Sequence, residues 1–201
     1  MIDKHVLIVG LGALGTRYLQ ALMKTRPVKV AVDIVEPNDG NFHAGVRVAS
    51  QASNSSCVVA IKRSNHGTLR QAYDLVIVAS TAAGRADIIN RLMQSTSTSY
   101  WILEKVLEQS TEALEAIRRD LAGFKAWVNT PRRGVDFYAS IKKEGKRTGL
   151  VEFEVIDENF SLCCNAIHFL DTLEWMGEGL LCSADLSSPS GWYEADREGF
   201  K

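Results

Sequence analysis

HVLIVGLGALG, running from His5 to Gly15, decides the fold. His5 to Gly10 is a continuous apolar run that closes on glycine, the pattern of a strand buried on both faces of a parallel sheet. Beyond it, Leu14, Tyr18 and Leu22 stand four apart and predict a helix with an apolar stripe facing that sheet. Gly10, Gly12 and Gly15 between the two spell GxGxxG. Alone the pattern is weak, because turns are rich in glycine. With a buried strand before it and a helix after it, the pattern has the context that a phosphate loop requires. The first glycine makes the tight turn, the second lets the backbone approach a pyrophosphate, and the third permits close helix–strand packing. The helix start at Ala13 and Leu14 then offers N–H groups and a partial positive charge to the phosphates.

The flanking segments extend the same reading. A second strand, Val28 to Glu36, stops at Pro37, which lacks an N–H and has a fixed φ. Dinucleotide sites of this design place an acid about 20 residues beyond the glycines, on the adenosine ribose. Glu36 falls at that distance, with Asp33 and Asn38 as neighbours able to serve instead. A carboxylate suits the free hydroxyls of NAD and repels the 2′-phosphate of NADP, so NAD is the expected cofactor and NADP the second option. Residues 37–56 read as loop plus a short helix. Strands follow at Cys57–Lys62, Leu75–Ser80, Tyr100–Glu104 and Phe124–Val128, with helices at Arg85–Gln94 and Ser110–Leu121 between them. That alternation predicts an α/β fold, a doubly wound parallel Rossmann sheet over residues 1–128.

Residues 129–201 differ in texture. Val135–Lys142 and Leu150–Asp157 alternate apolar and polar residues around the charged stretch Lys143–Arg147, which predicts an antiparallel hairpin. Asn165–Met176 carries Ile167, Leu170, Leu173 and Met176 at helical spacing, and Leu180–Leu186 reads as one more strand. The expectation is a small, incomplete α+β domain for substrate binding or oligomerisation.

Composition narrows the function classes. The chain has 201 residues, 46% hydrophobic and 23% charged, ordinary values for a globular protein with a sizeable core. Lys and Arg total 23 against 24 Asp and Glu, a net charge of −1, without the basic excess of a nucleic-acid binder. No apolar run reaches the roughly 18–20 residues of a membrane span, and the N-terminus lacks a cleavable-leader pattern. The four cysteines, Cys57, Cys163, Cys164 and Cys182, have no CxxC spacing, so no metal site and no disulfide framework is expected. A cytoplasmic location follows as the expectation.

Two further residue groups carry chemistry. Trp101-Ile102-Leu103-Glu104-Lys105 puts a Glu-Lys pair at the carboxyl end of a predicted strand, the edge where open α/β sheets bind ligands. A lysine there orients a substrate hydroxyl, or acts as acid or base if its pKa is lowered. On the predicted helix, Cys164, His168 and Asp171 share one face. Histidine is suited to take a proton from an alcohol as hydride leaves its carbon.

GLGALG after the first strand, VIVAST after the fourth and WILEKVLEQSTEAL after the fifth together resemble the glucose–fructose oxidoreductase/inositol 2-dehydrogenase/rhizopine-catabolism family of NAD(P)-dependent oxidoreductases. The resemblance covers most of residues 5–185. It implies hydride transfer between a nicotinamide and a sugar, polyol or nucleotide-sugar alcohol. It implies Lys105 and His168 as catalytic residues, and Ser80, Thr81, Glu104 and Lys105 at the cofactor. The family's Glu-Lys-Pro motif reads Glu104-Lys105-Val106 here, and its Thr-Pro motif reads Thr81-Ala82. His168 and Asp171 match the family's histidine helix, whereas Cys164 stands where an acid is usual. Asn129 and Arg132-Arg133 resemble its Asn-x-Arg stretch, which implies Arg132 and Asp171 at the substrate. The implied partners are a small carbohydrate and further copies of the chain, with no nucleic acid and no membrane. The short region after residue 128 reads as a shortened family member. It leaves a non-catalytic dinucleotide-binding sensor or scaffold as the alternative.

Overall fold

The structure, a computed structural model, describes residues 2–24, 28–51, 58–144, 154 and 162–177. In chain order the elements are β1 (Lys4–Val9), α1 (Ala13–Lys24), β2 (Val30–Val35), α2 (Asp39–Gln51), β3 (Val58–Ser64), β4 (Ala72–Tyr73), β5 (Leu75–Val78), α3 (Arg85–Ser95), β6 (Ser97–Thr98), β7 (Tyr100–Glu104), α4 (Thr111–Asp120), β8 (Lys125–Asn129), α5 (Asp136–Glu144) and α6 (Leu162–Gly177). Short 3₁₀ turns occupy His66–Thr68 and Pro131–Gly134. The chain divides into two compact units, Met1–Asn129 and Thr130–Lys201.

In the first unit, six strands form a sheet in the order β3-β2-β1-β5-β7-β8, every neighbouring pair parallel. This is the doubly wound arrangement that the alternation predicted. The strand order reverses between β1 and β5, and there the loops at the carboxyl ends of the strands diverge to leave a crevice. Side-chain alternation along β1 assigns the two faces. Leu7 and Val9 pack with Ile89, Leu92 and Ile117 of α3 and α4, whereas Val6 and Ile8 pack with Leu19, Met23 and Ala49 of α1 and α2. A separate two-stranded parallel sheet, β4 with β6, was not anticipated.

Four sequence expectations need correction. The stripe on α1 is turned by one residue: Gly15, Leu19 and Met23 are buried, while Leu14, Tyr18 and Leu22 are half-buried. Gly15 lies against the Gly10 carbonyl, and that contact fixes which face of α1 meets the sheet. The short helix expected with the loop after Pro37 is longer than expected, for α2 takes up 13 residues. Asn38 Oδ1 accepts from the Asn41 N–H at its start, and Phe42, Val46 and Ala49 supply an apolar edge within a polar sequence. Gly45 lets α2 approach α1 and the glycine loop, since a Cβ there would lie 2.9 Å from Thr16 Oγ1 of α1 and 2.7 Å from the Leu11 side chain.

The remaining corrections fall in the second unit. Val135–Lys142, expected as a hairpin strand, lies largely within helix α5, whose side chains include no buried residue. With no burial to enforce a period of two, alternation along Val135, Phe137, Ala139 and Ile141 does not make a strand. Among the described side chains of α6 the buried positions are Thr172 and Met176, so of the expected stripe Met176 is buried whereas Ile167 and Leu170 are exposed. Cys57, Leu180–Leu186 and all of Leu150–Asp157 except Glu154 lie outside the described residues.

Candidate functional site

Three glycines at the end of β1 meet three different surroundings. Gly10 has φ of +89°, a conformation that L side chains rarely adopt, and a Cβ there would lie 2.9 Å from the Ser80 backbone nitrogen. At Gly15 a Cβ would sit 2.0 Å from the Gly10 carbonyl oxygen, so any side chain is excluded. Gly12 has nothing within 4 Å of its Cβ position. Folding needs the outer two glycines, whereas the space in front of the middle one is open. An α-helix leaves its first N–H groups without intrahelical partners, and α1 begins beside that space at Ala13 and Leu14. The open cradle and the donor-rich helix start fit a pyrophosphate.

Glu36, just past β2, is 7% exposed and lies under this loop. Its Oε2 accepts the Leu11 N–H at 2.7 Å and its Oε1 accepts the Asn38 N–H at 2.9 Å. The two neighbouring candidates are engaged elsewhere. Asp33 is buried and accepts the Tyr73 hydroxyl at 2.6 Å, and Asn38 caps α2. Of the three, Glu36 alone touches the glycine loop. Arg63 braces the same turn: it donates to the carbonyls of Glu36 and Pro37, pairs with Asp39 and lies over the Phe42 ring.

Beyond the switch point, Glu104 ends β7 and Lys105 follows it, and the Lys105–Val106 peptide is cis. Glu104 is 2% exposed, and its Oε1 accepts the Tyr18 hydroxyl at 2.5 Å and the Asn129 Nδ2 at 2.7 Å. Burial, reinforced by the hydrogen bond to the Glu104 carboxylate, pushes the Tyr18 phenol well above its ordinary value. Glu104, expected at the cofactor, thus ties the glycine-loop helix to two strand ends. Lys105 is half-buried. Ser80 and Thr81 follow β5, with Ser80 Oγ donating to the Thr81 carbonyl.

Sequence reasoning missed Arg85, the first residue of α3, which is 1% exposed. Its Nη1 donates to the carbonyls of Glu104 (2.5 Å), Val106 (2.5 Å) and Leu107 (2.9 Å), and its Nη2 to the Ser80 carbonyl (2.6 Å). Burial pulls the guanidinium below its usual pKa, against the opposing charges of Glu104 and Glu108. A cation in a helix's first turn opposes the macrodipole, and that misfit was the available signal. The Gly84 cap of α3 supplies no side chain, and Glu108 substitutes by accepting the Ala86 N–H.

In the second unit, Arg132 stacks on Phe169 at 3.9 Å and donates to the Tyr138 hydroxyl at 3.0 Å. Asp171 does not pair with His168. Arg133 grips it from two nitrogens, at 2.7 and 2.5 Å, and the carboxylate holds the guanidinium above its usual pKa. His168 is half-buried on α6, and its carbonyl accepts the Thr172 hydroxyl at 2.6 Å. The Cys164 side chain is outside what the structure describes. Among the described residues no group of three His, Cys, Asp or Glu side chains is placed to hold a metal, and no helix is long and apolar enough to cross a membrane.

The sheet order and the glycine loop define a Rossmann-type unit. Solved structures with this fold include myo-inositol 2-dehydrogenase from Lactobacillus plantarum, at TM-score 0.66 and 15% identity, with 88% of this chain and 57% of that one covered. A second is myo-inositol dehydrogenase from Lactobacillus casei in complex with NAD(H) and myo-inositol, at TM-score 0.67 and 17% identity, covering 89% and 55%. A third is the dehydrogenase MviM from Clostridium difficile, at TM-score 0.62 and 17% identity, covering 88% and 58%. This chain therefore spans a little over half the length of the structures it resembles. No protein-family model matches the sequence, and no curated protein matches it.

Proposed function

We propose that the chain belongs to the glucose–fructose oxidoreductase/inositol 2-dehydrogenase/rhizopine-catabolism family, and that it moves a hydride between a nicotinamide dinucleotide and a sugar or polyol alcohol. The observation that carries the reading is the glycine loop, closed to side chains at Gly10 and Gly15 and open at Gly12. Bound there, the dinucleotide would supply the hydride chemistry. The N–H groups around Gly12, Ala13 and Leu14 would hold its pyrophosphate, and Glu36 would face its adenosine ribose. Ser80, Thr81 and Lys105 would line the nicotinamide side, with Lys105 orienting a substrate hydroxyl. His168 would take the proton that leaves the alcohol, and Arg132 would bind the sugar. Glu36 favours NAD over NADP, because a carboxylate repels the 2′-phosphate.

NADH fluorescence titration tests the reading. The wild type should bind, and Gly12→Asp should abolish binding without unfolding the protein. Absence of binding to NAD(H) and NADP(H) at about 1 mM, near the upper end of ordinary KM values, would overturn it. A second reading, a dinucleotide-binding protein without turnover, is favoured by Asp171 being bound to Arg133. Tight NAD retention with no activity across a polyol and nucleotide-sugar panel would select it. The chain is further proposed to self-associate, and a monomer in light scattering would refute that.

A further inference from the structure

Arg85 bridges two loops at the carboxyl edge of the sheet. One runs from Glu104 to Leu107 and contains Lys105; the other contains Ser80 and follows β5. Nη1 has two hydrogens and three carbonyl acceptors, so they are shared among Glu104, Val106 and Leu107, and Nη2 reaches the Ser80 carbonyl. The acceptors lie on both sides of Lys105 in the chain. Glu108 holds the base of the same device, accepting the N–H of Ala86 beside Arg85 and that of Gln109 at the end of the lysine loop. The carbonyls of Ser80, Val106 and Leu107 lie outside the strands and have no ladder to satisfy them, so a buried donor that takes these three together with that of Glu104, at the end of β7, fixes the local backbone. A guanidinium does this where an ammonium cannot, because its planar fork sends donors in several fixed directions.

We propose that Arg85 is the positioning residue of the candidate site: it holds the backbone that places Lys105 and locks that loop to the one bearing Ser80 and Thr81. It contacts neither substrate nor cofactor and acts only through those carbonyls. The proposal rests on the dinucleotide-binding reading for its meaning, but the clamp itself is testable without any ligand.

The experiment uses the 201-residue chain with lysines reductively ¹³C-methylated, and the Lys105 resonance is assigned by its loss in Lys105→Arg. In the wild type without cofactor, that resonance should be a single sharp signal. Arg85→Met should broaden or split it, and should weaken NADH binding by about tenfold, since misplacing such a loop by about 1 Å can cost up to about 100-fold in catalysis. If Arg85→Met does not fold, Arg85→Lys decides the question. A single ammonium cannot span both loops, so Lys105 should again lose its single sharp signal. A Lys105 signal unchanged in whichever variant folds overturns the proposal. Failure of the wild type to bind NADH overturns the dinucleotide reading instead, and leaves the ligand-free Lys105 signal to judge the clamp.

Discussion

Two loops face each other across the switch point of the sheet, and each is held by one buried charge of opposite sign. The glycine loop after β1 is held by a carboxylate, Glu36, which accepts the N–H groups of Leu11 and Asn38. The lysine loop after β7 is held by a guanidinium, Arg85, which donates to carbonyls. The sign of the clamp follows from which backbone group turns inward. Where N–H groups point in, an acid satisfies them; where carbonyls point in, only a cation or neutral donor will do. The two clamps differ in the number of groups they hold as well. Each joins two turns, but Glu36 takes two N–H groups and Arg85 takes four carbonyls.

That difference predicts unequal losses. Arg85→Met strands up to four carbonyls and should cost about 4 kcal/mol of stability, the largest effect expected, measured by urea denaturation. Gly15→Ala forces a Cβ against the Gly10 carbonyl and should cost about 3 kcal/mol. Glu36→Gln keeps one acceptor oxygen and places an NH₂ where the other was, for a loss of about 2 kcal/mol. If it proves as damaging as Arg85→Met, the two-bond clamp matters as much as the four-bond one and the comparison fails.

Alkaline pH sharpens the picture on the Glu104 side. Burial lifts the phenols of Tyr18 and Tyr73 above their ordinary value, and the carboxylates of Glu104 and Asp33 add to the effect. In the unfolded chain both titrate near about pH 10. Their contribution is complete below that value and is lost as pH rises beyond it, because the unfolded chain releases protons the folded chain keeps. The thermal midpoint should fall above about pH 10, and Tyr18→Phe with Tyr73→Phe should flatten the fall. Gly12→Ala comes last, with stability within about 0.5 kcal/mol of wild type but weaker NADH binding.

The sheet was legible because apolar runs ending at glycine, proline or an acid allow few alternatives. Elements without a buried face were not. Helix α5 buries nothing, so its alternation misled, and the buried edge of α2 is narrow, with Gly45 and Ala49 buried and Phe42 and Val46 packed beside them. In the candidate site the glycines and Glu36 could be read from spacing, because a glycine triplet and an acid about 20 residues on recur together in this loop design. Arg85 and Tyr18 could not. They act on backbone carbonyls and on a carboxylate that sequence does not mark as inward-facing.

Only the middle glycine of the loop is free to drift. Positions 10 and 15 are locked to one another through a carbonyl oxygen, so neither can change by a single step without damaging the fold. A side chain at position 12 would meet nothing within 4 Å of its Cβ among the described residues. A lineage that stopped using the crevice would keep the outer pair for folding and let the middle one wander to alanine, serine or aspartate. Gly12 is thus the member of the triplet whose identity records use, and a saturation library selected first for folding and then for dinucleotide capture should separate the two constraints at that position.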